Sequence, residues 1–339
     1  MQGADDGAFL PLSEAEDLME RAFVAHGVPE ETARSVARAL VAAEAEGQVG
    51  HGFSRLGDYI AQVKTGKVIG HAMPVITRPK PAIVHVDAGF GFAYPAMEAG
   101  IDAAVETAQD LGAAFVAIHR SHHCGALSLQ VERAAKQGVA AMMVANSPPA
   151  IAPWGARDPL FGTNPIAFAA PRAKGAPLVI DLSLSVVARG KVMNAHKAGA
   201  DIPEGWALDA EGRPTTDPKA ALDGSMVPIG GAKGTALALM VEVLSAAMTG
   251  ANFSADAGSF FSGEGARPGV GQFITLWSPP EGADRFGERM ETLLGRIAEM
   301  EGTRLPGARR AEAIARALSD GVFVPKRYLE LARDLAAGG

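Results

Sequence analysis

Apolar positions along the chain follow two rhythms, and the rhythm changes near residue 81. Before that point they recur at helical spacing. Leu18, Met19, Ala22 and Phe23 make one stripe, opened by Ser13 and Glu16 in capping-box relation and stopped by Gly27. Pro29 opens a second helix that runs to about Ala45, where Gly47 and Gly50 end it. Residues 51–59 follow, then polar turns as far as Pro81. Beyond Pro81, short apolar runs alternate with helical patterns. Residues 82–87, 113–118, 139–145, 178–182 and 271–278 read as strands. Residues 94–111, 126–137, 233–249, 282–300 and 307–319 read as helices, and a last helix starts after Pro325. The segment 233–249 is so apolar that it is expected to be buried. Residues 146–176 and 199–231 read as irregular, and so long a loop in a compact domain is usually functional. Strand 113–118, helix 126–137 and strand 139–145 form a parallel crossover unit. The layout predicts an α/β protein, with a helical region made from both chain ends around a central sheet domain.

Composition narrows the class. The chain has 339 residues, 48% hydrophobic and 20% charged, which suits a folded globular protein with a sizeable core. A net charge of −7 argues against nucleic acid as a partner, since the densest basic cluster, 304–310, holds only three arginines. Cys124 is the single cysteine, so no intrachain disulfide forms and a reducing compartment fits. The opening Met-Gln-Gly-Ala-Asp-Asp lacks the basic and apolar regions of a secretory leader, so a cytoplasmic location is expected. No stretch is apolar enough to span a membrane; the best candidate, 234–248, carries Glu242 and Ser245.

Candidate chemistry sits at a few turns. Ser121-His122-His123-Cys124-Gly125 lies where a strand hands over to a helix, the place where sheet proteins bind ligands. Gly89-x-Gly91 follows a strand, but Tyr94 replaces the third glycine of a dinucleotide fingerprint, so this reads as a turn. Gly230-Gly231-Ala232-Lys233-Gly234 offers glycines, a cation and a helix N-terminus to an anion, although a plain helix-starting loop fits equally well. His119, His122 and His123 lack the cysteines or carboxylates of a metal set, and no metal is expected. Cys124 alone is as consistent with a small buried side chain as with a nucleophile. His51 and Arg55 stand four residues apart, which on a helical turn places them on one face. Such a pair can hold a carboxylate and move a proton, but a surface His and Arg at this spacing are common.

Taken together, the motifs resemble the malate/L-lactate dehydrogenase family of NAD(P)-dependent oxidoreductases, which lack a Rossmann fold. The matching strings are His51-Gly-x-x-Arg55 with Tyr59, Ser121-His-His123, residues 159–171, Ala188-Arg-Gly-Lys191, residues 202–209, residues 212–219 and Gly230-Gly-Ala-Lys-Gly234, in family order over nearly the whole chain. The resemblance implies a non-Rossmann NAD(P)-binding sheet domain of sulfolactate/malate dehydrogenase type over residues 79–284. It implies a helical substrate and dimerisation domain from 1–78 and 285–339. Ser-His-His and the run 161–171 look most like the Δ1-piperideine-2-carboxylate/Δ1-pyrroline-2-carboxylate reductases, which reduce cyclic imino acids. In that subgroup the position of His51 is the catalytic acid, in a relay with a preceding serine and a downstream aspartate. Here those places hold Gly50 and Lys191, and Arg189-Gly-Lys191 is the string of the 2-hydroxyacid dehydrogenases.

By the same resemblance His51 and His123 are the candidate catalytic residues, and Arg55 with Tyr59 binds substrate. The candidate cofactor contacts are His123, Cys124, Gly125, Ala126, Leu127, Thr163, Asp181, Leu182, Ser183, Ala232, Lys233, Arg304, Pro306, Gly307, Arg309 and Arg310. The implied cofactor is NADPH or NADH, with NADPH slightly favoured. The implied substrate is a small 2-imino or 2-oxo acid, and the implied assembly is a homodimer. A 2-hydroxyacid dehydrogenase of malate, L-lactate, sulfolactate or ureidoglycolate type is the alternative, and a catalytically silent cofactor-binding homologue is the second.

Overall fold

The computed structural model describes residues 6–280 and 282–339, the side chains of 197 and 283 aside. The first five residues, which carry most of the leader reading, lie outside that set. The described chain runs β1 (Gly7–Leu10), α1 (Leu12–Ala25), α2 (Glu30–Ala45), α3 (Leu56–Lys64), β2 (Val75–Lys80), β3 (Ile83–Asp87), α4 (Ala93–Leu111), β4 (Ala113–Ser121), α5 (Ser128–Ala135) and β5 (Ala140–Ala145). It continues with β6 (Ile166–Ala170), β7 (Leu178–Leu182), α6 (Arg189–Ala198), β8 (Ala207–Leu208), β9 (Pro214–Thr215), α7 (Pro218–Asp223), β10 (Ser225–Met226) and α8 (Ala232–Glu242). It ends with β11 (Val270–Trp277), α9 (Ala283–Ala298), α10 (Ala308–Asp320), β12 (Val322–Pro325) and α11 (Lys326–Ala336).

Seven strands form the central sheet in the order β2-β3-β4-β11-β5-β6-β7. Only β3 and β4 pair in parallel, joined through α4; every other neighbouring pair is antiparallel. β4 and β5 therefore run parallel but do not touch, because β11 pairs with both and separates them. The crossover exists, yet its two strands are not neighbours. β11 takes the central place because seven of its eight residues can be buried, leaving only Trp277 exposed.

Alternate residues of the central strands serve opposite faces. Ala114, Val116 and Ile118 of β4, with Ile274 and Leu276 of β11, join one apolar cluster. Ala117 and Phe273 join the other. The first cluster runs on through α4 and α5 into α1, α2, α3 and α11. Both chain ends meet there, with β1 antiparallel to β12 in the register Gly7↔Pro325 to Leu10↔Val322.

Four expectations need correction. The capping box is not formed: α1 begins at Leu12 with Pro11 at its N-cap, which puts Ser13 inside the first turn. β2 replaces expected turns. It is exposed along its whole length and contains Pro79, so it shows no alternation and tolerates proline only as an edge strand. β6 lies within the segment expected to be a loop, and the stretch 199–231 contains α7 and a small three-stranded sheet, β10-β8-β9. Finally, α8 is not buried on all sides. Leu237, Leu239 and Met240, with Val243 in the π-helical turn that follows and Met248 just past it, are exposed. No helix among the described residues is long and apolar enough to cross a membrane.

Candidate active site

The site grows from two chain turns that packing brings together. α2 stops before Gly47, whose φ of 79° is open to glycine at little cost. Two short 3₁₀ turns follow, Val49–His51 and Phe53–Arg55, in place of one continuous helical turn. They keep His51 and Arg55 close. Arg55 is buried, and its Nε donates to the Gly50 carbonyl at 2.7 Å. Its Cζ lies 4.3 Å from the centre of the Phe261 ring. Its Nη1 is 3.7 Å from Asp58 Oδ2 and makes no hydrogen bond. The guanidinium is thus tethered at one edge and keeps an unmet donor at the other.

The second turn ends β4. His122 and His123 point to different partners, as adjacent residues in an extended chain do. His122 is buried, and its Nε2 lies 2.7 Å from Gln62 Oε1. His123 packs beside Phe260 and meets His51, with its Nε2 3.2 Å from His51 Nδ1 and the rings stacked 5.1 Å apart. Its Nδ1 is 2.6 Å from the Tyr59 hydroxyl, which is 3.1 Å from the Tyr94 hydroxyl. One donor order satisfies this chain with both imidazoles neutral. Tyr94 donates to Tyr59, Tyr59 to His123 and His123 to His51, which leaves N–H on His51 Nε2.

Electrostatics favour those neutral forms. Burial, and then the charge of Arg55, lowers His51 to about 4 and holds His123 well below its usual value. Burial lowers His122 to about 3 and pushes the Cys124 thiol up to about 12, which removes Cys124 as a nucleophile. Buried histidines with lowered pKa values make the fold acid-sensitive, because below pH 6.5 the unfolded chain binds protons that the folded chain refuses. His51 and His122 each lose roughly 2 kcal/mol between pH 7.5 and 5, His123 adds a loss in the same direction, and Glu44, raised to about 7 by burial, gains about as much as one of them loses. Urea melts should therefore show a net loss of at least about 2 kcal/mol over that interval. Equal stability at the two pH values would refute the neutral, buried histidine pair.

The expected cofactor residues converge on β7 and its exit. Ser128 N, at the start of α5 and just past Leu127, donates to Asp181 Oδ2 at 2.9 Å. Leu184 N donates to the Thr163 carbonyl, and Ile229 N to the Leu184 carbonyl, both at 2.8 Å. Residues 181–184, Leu182 and Ser183 among them, thereby link the turn of Cys124, Gly125 and Ala126 to the loop before α8. Gly125 and Gly231 lie at φ 64° and 62°. A Cβ on Gly125 would stand 2.6 Å from the Tyr94 hydroxyl, and one on Gly231 would press on Trp154 at 3.1 Å. Gly231 opens the first turn of α8, where Ala232 and the exposed Lys233 sit among free N–H groups. A glycine-opened helix N-terminus with a lysine in its first turn is the kind of end that takes an anionic group. The late loop meets the same strand, since a Cβ on Gly307 would lie 2.8 Å from the Val179 carbonyl.

Within that loop the arginines divide. Arg304 and Arg309, flanking Pro306, are exposed. Arg310 is turned inward, with Nη2 2.6 Å from Glu46 Oε1 and 2.9 Å from Glu132 Oε2. Ser128 Oγ donates to the other oxygen of Glu46. Lys191, on the first turn of α6, is exposed. Among the described residues no group of His, Cys, Asp or Glu could hold a metal ion.

Several members of the site are not apparent from sequence alone. Gln62 holds His122, and also donates to the Phe260 carbonyl at 2.8 Å. Phe260 and Phe261 wall the site beside His123 and Arg55. Two adjacent aromatics in a glycine-rich stretch of a chain with 6% aromatics are a usable signal. Tyr94, whose bulk spoils the dinucleotide fingerprint, ends the hydroxyl chain.

The profile described as malate/L-lactate dehydrogenase matches residues 10–331. A (2R)-3-sulfolactate dehydrogenase (NADP(+)) of Chromohalobacter salexigens is 49% identical over 96% of this chain and 98% of that protein. A Δ1-pyrroline-2-carboxylate/Δ1-piperideine-2-carboxylate reductase of Pseudomonas putida is 41% identical over 96% of each chain. The crystal structure of the Δ1-piperideine-2-carboxylate reductase of Pseudomonas syringae pv. tomato superposes with a TM-score of 0.92 at 39% identity, over 97% of this chain and 99% of that one.

Proposed function

The chain belongs to the malate/L-lactate dehydrogenase family of oxidoreductases, and on that premise we propose that it reduces a 2-imino or 2-oxo acid at C2 with NADPH. The first candidate substrates are Δ1-piperideine-2-carboxylate and Δ1-pyrroline-2-carboxylate, giving L-pipecolate and L-proline. The observation that carries this reading is the joined pair of turns: His51, with its Nδ1 on His123, stands in the same short segment as Arg55, whose buried Nη1 has no hydrogen-bond partner. When bound, the nicotinamide supplies a hydride to the substrate carbon. Arg55 holds the substrate carboxylate and draws electron density from the adjacent C2. His51 Nε2–H hydrogen-bonds the imine nitrogen or the carbonyl oxygen; the imidazolium form of His51, protonated from solvent, delivers that proton as charge develops there and returns to the neutral imidazole. His123, steadied by Tyr59 and Tyr94, keeps His51 in that tautomer, the part played in the subgroup by groups this chain replaces with Gly50 and Lys191. Phe260 and Phe261 present an apolar wall that suits a ring better than a second anionic group.

A second reading is reduction of 3-sulfopyruvate to sulfolactate. It is favoured by the 49% identity to a sulfolactate dehydrogenase and by the cation Lys191. Initial rates with NADPH and NADH on Δ1-piperideine-2-carboxylate, 3-sulfopyruvate, pyruvate and oxaloacetate decide between them. The cyclic imine with NADPH should give the largest kcat/KM. A higher value on 3-sulfopyruvate installs the second reading, and NADPH binding without turnover of any of the four leaves a silent homologue. Arg55→Lys should raise KM for the acid by about 10–100-fold, because an ammonium replaces a planar fork. An unchanged KM would remove Arg55 from the carboxylate site.

The exposed stripe of Leu237, Met240, Val243 and Met248 is the surface we assign to pairing of two copies. That places the interface on the sheet part of the chain rather than on its terminal helices. Met240→Asp should convert a dimer to a monomer in sedimentation equilibrium. A wild-type monomer would overturn the assignment. A cytoplasmic setting, where Cys124 stays reduced, completes the proposal.

A further inference from the structure

Gly52 separates His51 from Arg55, and it has no room for a side chain. A Cβ there would stand 1.8 Å from Oε2 of Glu44 and 2.8 Å from its Cδ. Glu44 reaches in from the last turn of α2, and its Oε2 accepts the Phe53 N–H at 2.8 Å. Phe53 is itself buried in the apolar cluster that α2 helps to build. The Glu44 carboxyl is therefore spent on the peptide that joins the two functional turns. The residue is 8% exposed, and no cation lies within ion-pair distance of it among the described residues. An unpaired acid in an apolar setting is costly unless its hydrogen bond serves a purpose.

The other tethers of this segment are local or come from the reacting groups. Ser54 Oγ donates to the Val49 carbonyl at 2.8 Å, and Arg55 Nε to Gly50. His51 meets His123. Glu44 ties the segment to the helical core instead.

We propose that Glu44 is the positioning residue of the substrate turn, fixing the Gly52–Phe53 peptide so that His51 stays on His123 and Arg55 keeps the place from which it holds the substrate carboxylate. The proposal rests on the roles given above to His51 and Arg55. Glu44 touches neither substrate nor cofactor; it acts through the backbone. Burial pushes its carboxyl up to about 7, so a neutral acceptor already serves over part of the neutral range. A carboxamide is then the matching replacement, and a thioether of similar length fills the space without accepting comparably.

Full-length Glu44→Gln, Glu44→Met and Glu44→Ala test this. Three readouts are needed: steady-state kcat and KM on Δ1-piperideine-2-carboxylate and 3-sulfopyruvate, NADPH affinity by fluorescence, and hydrogen exchange of the amides in 52–56. Glu44→Gln should stay within about threefold of wild type in all three. Glu44→Met and Glu44→Ala should raise KM for the acid about tenfold or more, lower kcat and speed exchange in 52–56, with NADPH affinity unchanged. Whichever of those two folds suffices. If they keep wild-type KM and kcat while only melting earlier, Glu44 is a packing residue and the proposal falls. It also falls if Glu44→Gln behaves like Glu44→Met. If the wild type turns over neither acid, the functional reading fails, and the exchange of Phe53 still decides on Glu44. Slow in the glutamine variant and fast in the methionine variant supports positioning; equal rates refute it.

Discussion

His51→Ala is expected to lower turnover about 10²–10⁴-fold while leaving NADPH affinity at the wild-type level, the range a positioned proton donor supplies. The geometry explains the separation of the two effects. His51 stands at the end of a hydrogen-bonded chain, and only its Nδ1 is used, on His123. The residues assigned to the cofactor start at His123 and run towards β7, away from the 3₁₀ turns. Truncating His51 removes the donor and leaves that wall standing. His123→Asn should cost less, because it loosens the tautomer of His51 without removing the proton. Loss in both variants should be largest in the reductive direction, where a proton is consumed. With His51 lowered to about 4 in the free enzyme, kcat/KM for reduction should fall as pH rises, from a limb lying below the usual imidazole value of 6.5. Near-wild-type turnover in His51→Ala, with a large loss in His123→Asn, would transfer the acid role to His123.

Arg310→Met is expected to destabilise the fold by about 3–5 kcal/mol, the usual result of stranding buried charges. The side chains of Glu46 and Glu132 are 2% and 10% exposed, and Arg310 bonds to both. Burial alone would raise the Glu132 carboxyl, yet the hydrogen bond and charge of Arg310 hold it below its usual 4.5. Its share of the stability is therefore present above pH 4.5 and lost as pH falls through the lowered value. Urea titrations of wild type and variant at pH 7 measure the difference. A second effect follows from the chain of contacts. Glu46 accepts from Ser128 Oγ, and Asp181 accepts from Ser128 N. Freeing Glu46 should weaken NADPH binding through Ser128, which holds the Asp181 carboxylate. A stability change under 1 kcal/mol would show that the triad is no more than a solvated surface cluster.

Periodicity in the sequence was enough for α2, α4, β3, β4 and the last helix, because apolar spacing records local geometry. It missed β2, where Arg78, Pro79 and Lys80 hide an edge strand that needs no buried face. It misjudged α8, because a helix apolar on all sides reads the same whether its partner is its own sheet or another surface. The candidate site was legible as strings. His51, Arg55, Tyr59 and His123 could be named, but not joined.

What the sequence determined by itself is therefore local: which segments coil or extend, where glycine allows a turn, and which residue types could hold a carboxylate or pass a proton. The tertiary structure decided three things that spacing does not carry. It placed β11 between the strands of the crossover, since the most buried run takes the centre of the sheet. It brought His51 to His123 across 72 residues, with Tyr59 and Tyr94 behind them. It also turned Arg310 onto two carboxylates, where the family resemblance implied a cofactor contact. Each of these turns on which atoms lie within about 3 Å once the core closes, and that distance is a property of packing rather than of chain order.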